Sequence, residues 1–190
     1  MLNQLFLELA LWLDTTLWST MLHESFYMYN WVETTHVLTL MVSLGMLFII
    51  DLRMLGYAFV DIPASHIAEK LNLPMLIGFS IMVISGLLLF YAIPVRSTQS
   101  VWLRLKLLLL VAAAINAFLF QRSMKASVAS WDNESRAPKR LRMGAALSLC
   151  FWTLIVICGR LIAYDWYDCQ YEQSGFINVF AGCIDGQAQF

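Results

Sequence analysis

Four stretches, each about 20 residues long and predominantly apolar, decide what this chain can fold into, because about that length is needed for a helix to cross a bilayer core. They are residues 31–50, 74–93, 101–120 and 144–163. The first closes on Asp51 and Arg53, and the second carries no charge. The third holds Arg104 and Lys106 in its first two turns, and the fourth contains Arg160 as its single charge. Breaks separate them at Asp61-Ile62-Pro63, at residues 94–100, and along the polar residues 121–142 around Pro138. Only 13% of the chain is charged and 60% is hydrophobic, whereas a soluble domain carries roughly a quarter charged residues. A chain this poor in charge cannot coat a water-facing surface. The expected fold class is all-α, an integral membrane four-helix bundle forming one domain, with lipid as its solvent.

Charge placement orients the bundle. Arg53 and Lys70 lie in the first loop, and Arg122, Lys125, Arg136, Lys139, Arg140 and Arg142 in the third. The opposite side has Arg96, with Arg104, Lys106 and Arg160 just inside the membrane, and no Lys or Arg precedes Arg53 or follows Arg160. The positive-inside rule makes the first set of loops cytoplasmic. The N-terminus and the tail, residues 164–190, are then external. A net charge of −1 excludes the basic footprint of a nucleic-acid binder.

Residues 1–22 lack the basic start and small-residue cleavage site of a secretory signal. Gln4, Glu8, Thr15 and Ser19 share one face at helical spacing, and Trp12 and Trp18 suit headgroup depth. The pattern predicts an amphipathic helix lying in the outer interface. A fifth span is the alternative, against which Glu8 and Asp14 would each cost a few kcal/mol near mid-bilayer. In the tail, Cys169 and Cys183 face an oxidising compartment if the membrane is a bacterial inner one. A disulfide between them would contribute roughly 3 kcal/mol by loop closure; two free thiols are the other reading. Cys150 and Cys158, inside the fourth span, read as small packing residues.

Ionisable groups inside a membrane each require an explanation. His36 is the sixth residue of the first span and Lys106 the sixth of the third, so both lie about 8 Å below the outer boundary at helical rise. Arg104 and Arg160 fall in the same outer layer, with Tyr91 at the end of the second span. One imidazole and nearby cations at one depth suit a b-type haem: His36 as axial ligand, and Arg160 with Lys106 or Arg104 neutralising the propionates. Arg104 and Lys106 point to nearly opposite sides of their helix, so only one of them faces the bundle. The second ligand is open. His23 can fold back from the outer segment, Met28 is near in sequence, and five-coordinate iron needs neither, while His66 lies on the cytoplasmic side. Two other readings stand beside this one. In the first, a quinone or other small amphiphile takes a hydrogen bond from His36. In the second, no cofactor binds, His36 bonds Glu33 or a serine across the bundle, and Arg160 snorkels to the headgroups.

At the cytoplasmic end, Asp51 is expected to pair with a cation such as Arg53 or Arg122, and Asn116 to bridge helices. No nucleophile–base set, metal-protease motif, phosphate loop or catalytic carboxylate pair can be assembled from the sequence. Catalytic activity of the chain's own is therefore not expected.

The string WVETTHVLTLMVSLGMLFIIDLRMLG, with Trp31, His36, Asp51-Leu52-Arg53 and Gly56, resembles a family of small bacterial multi-pass membrane proteins known only as a domain of unknown function. Gly86 to Phe90, and Arg104 to Lys106 with the later Asn116, are also similar. The resemblance covers residues 20–122 and implies a four-helix bundle in a bacterial inner membrane, without implying an activity. The cysteine-bearing tail departs from it and suggests a docking element. Together these readings predict a small subunit of an inner-membrane electron-transfer assembly, binding haem b near the outer face. The alternative is a structural accessory subunit that contacts lipid and either other membrane subunits or further copies of itself.

Overall fold

The computed structural model describes residues 2–127, 130–164, 169 and 175–183. Among these residues the chain is all-α, with no strand. The helices are α1 (Leu2–Asp14), α2 (Leu17–Glu24), α3 (Met28–Leu55), α4 (Ala64–Ala92), α5 (Pro94–Thr98), α6 (Val101–Ser127), α7 (Lys139–Ile162) and α8 (Gly175–Ala181). Four of them, α3, α4, α6 and α7, are long and apolar enough to cross a membrane. Their outward faces carry Leu76, Ile77, Ile84, Leu87, Leu107, Leu108, Val111, Ile115 and Phe118, all exposed. So much contiguous apolar surface is not left to water by a soluble domain; its solvent is lipid.

These helices outrun the apolar stretches at several ends. The second span was expected to open at Pro74, yet α4 starts ten residues earlier at Ala64 and carries Pro74 in its interior. Proline removes one backbone donor, and membrane helices tolerate it where neighbouring groups satisfy the freed carbonyl. The added turns run through Ser65, His66, Glu69 and Lys70, too polar to register as a span.

The single amphipathic helix expected over residues 1–22 is two helices. The hydroxyls of Thr15 and Thr16 donate back to the carbonyls of Trp12 (2.8 Å) and Leu13 (2.6 Å). This local bonding competes with the helical ladder and separates α1 from α2. Gln4 and Glu8 are exposed on α1, while Ser19 is buried on α2, so the polar stripe drawn through all of them does not exist.

By internal packing the chain divides into two units, Met1–His36 with Ile84–Leu108 and Val156–Phe190, and Val37–Val83 with Leu109–Ile155. In the first unit α1 packs on α5 through Leu7, Ala10 and Val95. Ser19 donates to the Tyr91 carbonyl (2.8 Å), and Thr16 shares a hydrogen bond with the Tyr91 hydroxyl. In the second unit Ile50, Met54, Ala64, Ile67, Trp131, Ala137, Leu141 and Ala145 form the core. Trp131, only 3% exposed, belongs to the polar loop and not to any apolar stretch.

Candidate functional site

The outer layer lies wholly within the first unit, and its residues part company there. His36 is half-buried on α3 and places Nδ1 3.0 Å from the Ser85 hydroxyl of α4. Gly86 lies beneath the ring: a Cβ at that position would come 3.2 Å from the imidazole Cε1. The glycine thus makes room for the histidine, and the serine fixes which way its ring faces.

Arg160 goes elsewhere. It is exposed, donates to the Tyr164 hydroxyl (2.6 Å), and holds its guanidinium 4.7 Å from the centre of that ring. Tyr164 follows it by one helical turn, so an i, i+4 pairing with cation–π character captures the side chain locally. Arg104 is spent on α5, on α1 and on the turn after α8. Its Nε donates to the Thr98 carbonyl and one terminal nitrogen to Asn3 Oδ1, both at 3.1 Å. Gly182 packs against the same guanidinium, and its φ of +80° with no side chain permits the approach. Asn3 in turn donates to the Val179 carbonyl of α8 (3.2 Å). Cys183, beside Gly182, is disulfide-bonded to Cys169. Arg104 therefore pins both chain ends.

His23 is exposed at the end of α2, with no hydrogen-bond partner among the described residues. Lys106 is half-buried on α6, with Cys158 and Gly159 of α7 beside its amine. Among the described residues no three His, Cys, Asp or Glu side chains are placed to hold a metal ion. Depth along a helix groups five residues in the sequence; in the structure each of them has its own neighbours.

The second unit holds a node that the sequence indicated only in part. At the end of α3 the Gly56 N–H donates to the Arg53 carbonyl (3.1 Å) and the Tyr57 N–H to the Leu52 carbonyl (3.0 Å). With Gly56 at φ +79°, this is a Schellman stop. Arg53, 1% exposed, donates to the carbonyls of Ile62 (2.7 Å), Glu134 (2.9 Å) and Asp132 (3.3 Å). One guanidinium thus ties the loop between α3 and α4 to the loop between α6 and α7. The expected pairing of Asp51 with a cation is replaced by a hydrogen bond from Ser148, and its Oδ2 has no partner among the described residues. Asn116 does bridge helices, donating to the Gly144 carbonyl (2.9 Å).

Asp132 completes the node by capping a helix from a distance. Pro63 precedes α4 and has no capping side chain, so the Asp132 carboxylate accepts from the Ser65 N–H (2.7 Å) and from its hydroxyl. Burial pushes this carboxyl up, but the Ser65 and Ala64 donors and the Arg53 charge outweigh it and hold it below the usual carboxylate range. A carboxylate depressed on folding adds stability above its unfolded value, about 4, and loses it as pH falls through the folded value. The wild-type protein in detergent should therefore lose melting temperature more steeply between pH 5 and pH 3 than an Asp132→Asn variant. Parallel pH profiles would remove the cap from this account.

No curated protein and no solved structure matches the chain. Residues 12–165 match the model of a family of unknown function, DUF6644, and the chain belongs to that family.

Proposed function

We propose that this chain is a non-catalytic accessory subunit of a bacterial inner-membrane assembly, with both termini on the periplasmic side. The observation that carries the reading is where the polar side chains of the long helices are used. His36 meets Ser85, Asn116 meets Gly144, Ser148 meets Asp51, and Arg53 gathers loop carbonyls. These are ties within the chain. The apolar faces, and the exposed Trp12, Trp18, Phe26, Tyr27 and Trp31 of the outer segment, are left for lipid and partner subunits. Cytoplasmic basic loops against an outer end without Lys or Arg beyond Arg160 support the orientation.

A second reading, a b-type haem and a role in electron transfer, is favoured by one feature. A haem-ligating histidine has its other ring nitrogen fixed by a hydrogen bond, as Ser85 fixes Nδ1 of His36. On this side His36 suits a haem, its ring seated on Gly86. Arg160, Arg104 and His23 do not suit it, because the first two are engaged elsewhere and the third is exposed.

One preparation separates the readings. The purified protein, with and without dithionite, should show no Soret band if His36 is a tie. Replacing His36 or Ser85 by alanine should then cost about 1 kcal/mol, the scale of interhelical hydrogen bonds in membranes. The double variant should cost little more than either single one. A Soret band that vanishes in His36→Ala would replace this reading with the haem one.

A further inference from the structure

The cation that these ties leave over is Lys106. It stands five residues past the start of α6 at Val101, about 8 Å along the helix axis. Its amine turns toward α7, where a Cβ on Gly159 would lie 3.5 Å from Nζ, and Cys158 lies beside it. Cys158 is 3% exposed, so the wall of this niche is α7 itself, and the missing side chain of Gly159 leaves the niche to the amine. Among the described residues no acceptor bonds the amine. Arg104 and Arg160 each bond acceptors within the chain; among the described residues Lys106 alone of the three bonds none.

An ammonium at this depth in a membrane takes a counter-anion or reaches for the headgroups. A lysine stem is long enough to hold its charge near the phosphate layer while its carbons stay apolar, and Leu107 and Leu108 beside it on α6 are exposed. A phosphate that arrives on an acyl chain satisfies the amine and the apolar surface together. We propose that Lys106 and the niche at Gly159 form a binding site for the phosphate of an anionic outer-leaflet phospholipid.

The test is native mass spectrometry of the purified full chain, carried in detergent with added phosphatidylglycerol or phosphatidylcholine. Wild-type protein should retain phosphatidylglycerol about fivefold better than phosphatidylcholine, the ratio expected of one lysine near a charged membrane surface. Lys106→Met should bring the ratio to about one. Gly159→Val, which keeps the charge and fills the niche, should do the same, so the result does not rest on one variant that fails to fold. Arg160→Gln should leave the ratio as it is. Equal selectivity in wild type and Lys106→Met would overturn the site. Displacement of the lipid by millimolar inorganic phosphate would overturn the lipid assignment, because a soluble oxyanion would then bind the amine unaided.

Discussion

Replacing Arg53 by leucine should be strongly destabilising, costing about 2–4 kcal/mol, because charged hydrogen bonds are lost and buried acceptors are left without a donor. The guanidinium is 1% exposed and reaches the carbonyls of Ile62, Asp132 and Glu134. Hydrogen bonds from charged donors are worth about 1.5–3 kcal/mol each, and they do not add, because the three acceptors share one fork. What the leucine leaves behind decides the size of the effect. Three loop carbonyls lose their donor together, and the Asp132 cap on α4 loses the charge that supports it. Lysine should rescue little, since a single ammonium cannot reproduce a planar fork bonding through Nε and a terminal nitrogen. Thermal unfolding in detergent gives the magnitude. Limited proteolysis gives the location, with residues 130–137 opening first. A variant that melts with the wild type and resists protease equally would show that the loops hold without the node.

This node also marks where reading the sequence stops. The string DLRMLG was legible as the end of a membrane helix, and Gly56 does end it. Its charges suggest a pairing of Asp51 with a cation such as Arg53 or Arg122. Arg53 instead bonds backbone carbonyls 79 and 81 residues away, and every residue type presents the same carbonyl. No composition or spacing announces such a partner. The four long helices were legible because solvation in lipid demands a run that can be counted. Their polar extensions were not, because water imposes no such demand on α4 before Pro74. The residues grouped by depth mark a different limit. Helical rise places a residue in depth, but whether Arg160 faces a histidine or its own Tyr164 depends on rotation, which packing fixes.

Rotation also governs the approach of α3 to α4 in the second unit, where Gly78 lies against Ser43. A Cβ built on Gly78 overlaps Ser43 Oγ, while it clears Ser43 Cβ at 3.4 Å. Small residues at such a crossing let two membrane helices approach closely and pack. Leucine at position 78 should force them apart and cost about 1–3 kcal/mol, the scale of overpacking a filled core. Ser43 itself is fully buried, and its Oγ has no hydrogen-bond partner. A buried hydroxyl in that state is a net cost, so Ser43→Ala should melt at or above the wild-type temperature. The pair then makes a sharper test than either change alone. Gly78→Ala should destabilise the wild-type background and become nearly neutral beside Ser43→Ala, because the only overlap is with the oxygen that the second change removes. Strict additivity of the two substitutions in detergent unfolding would mean that this crossing is not set by the contact between Gly78 and Ser43.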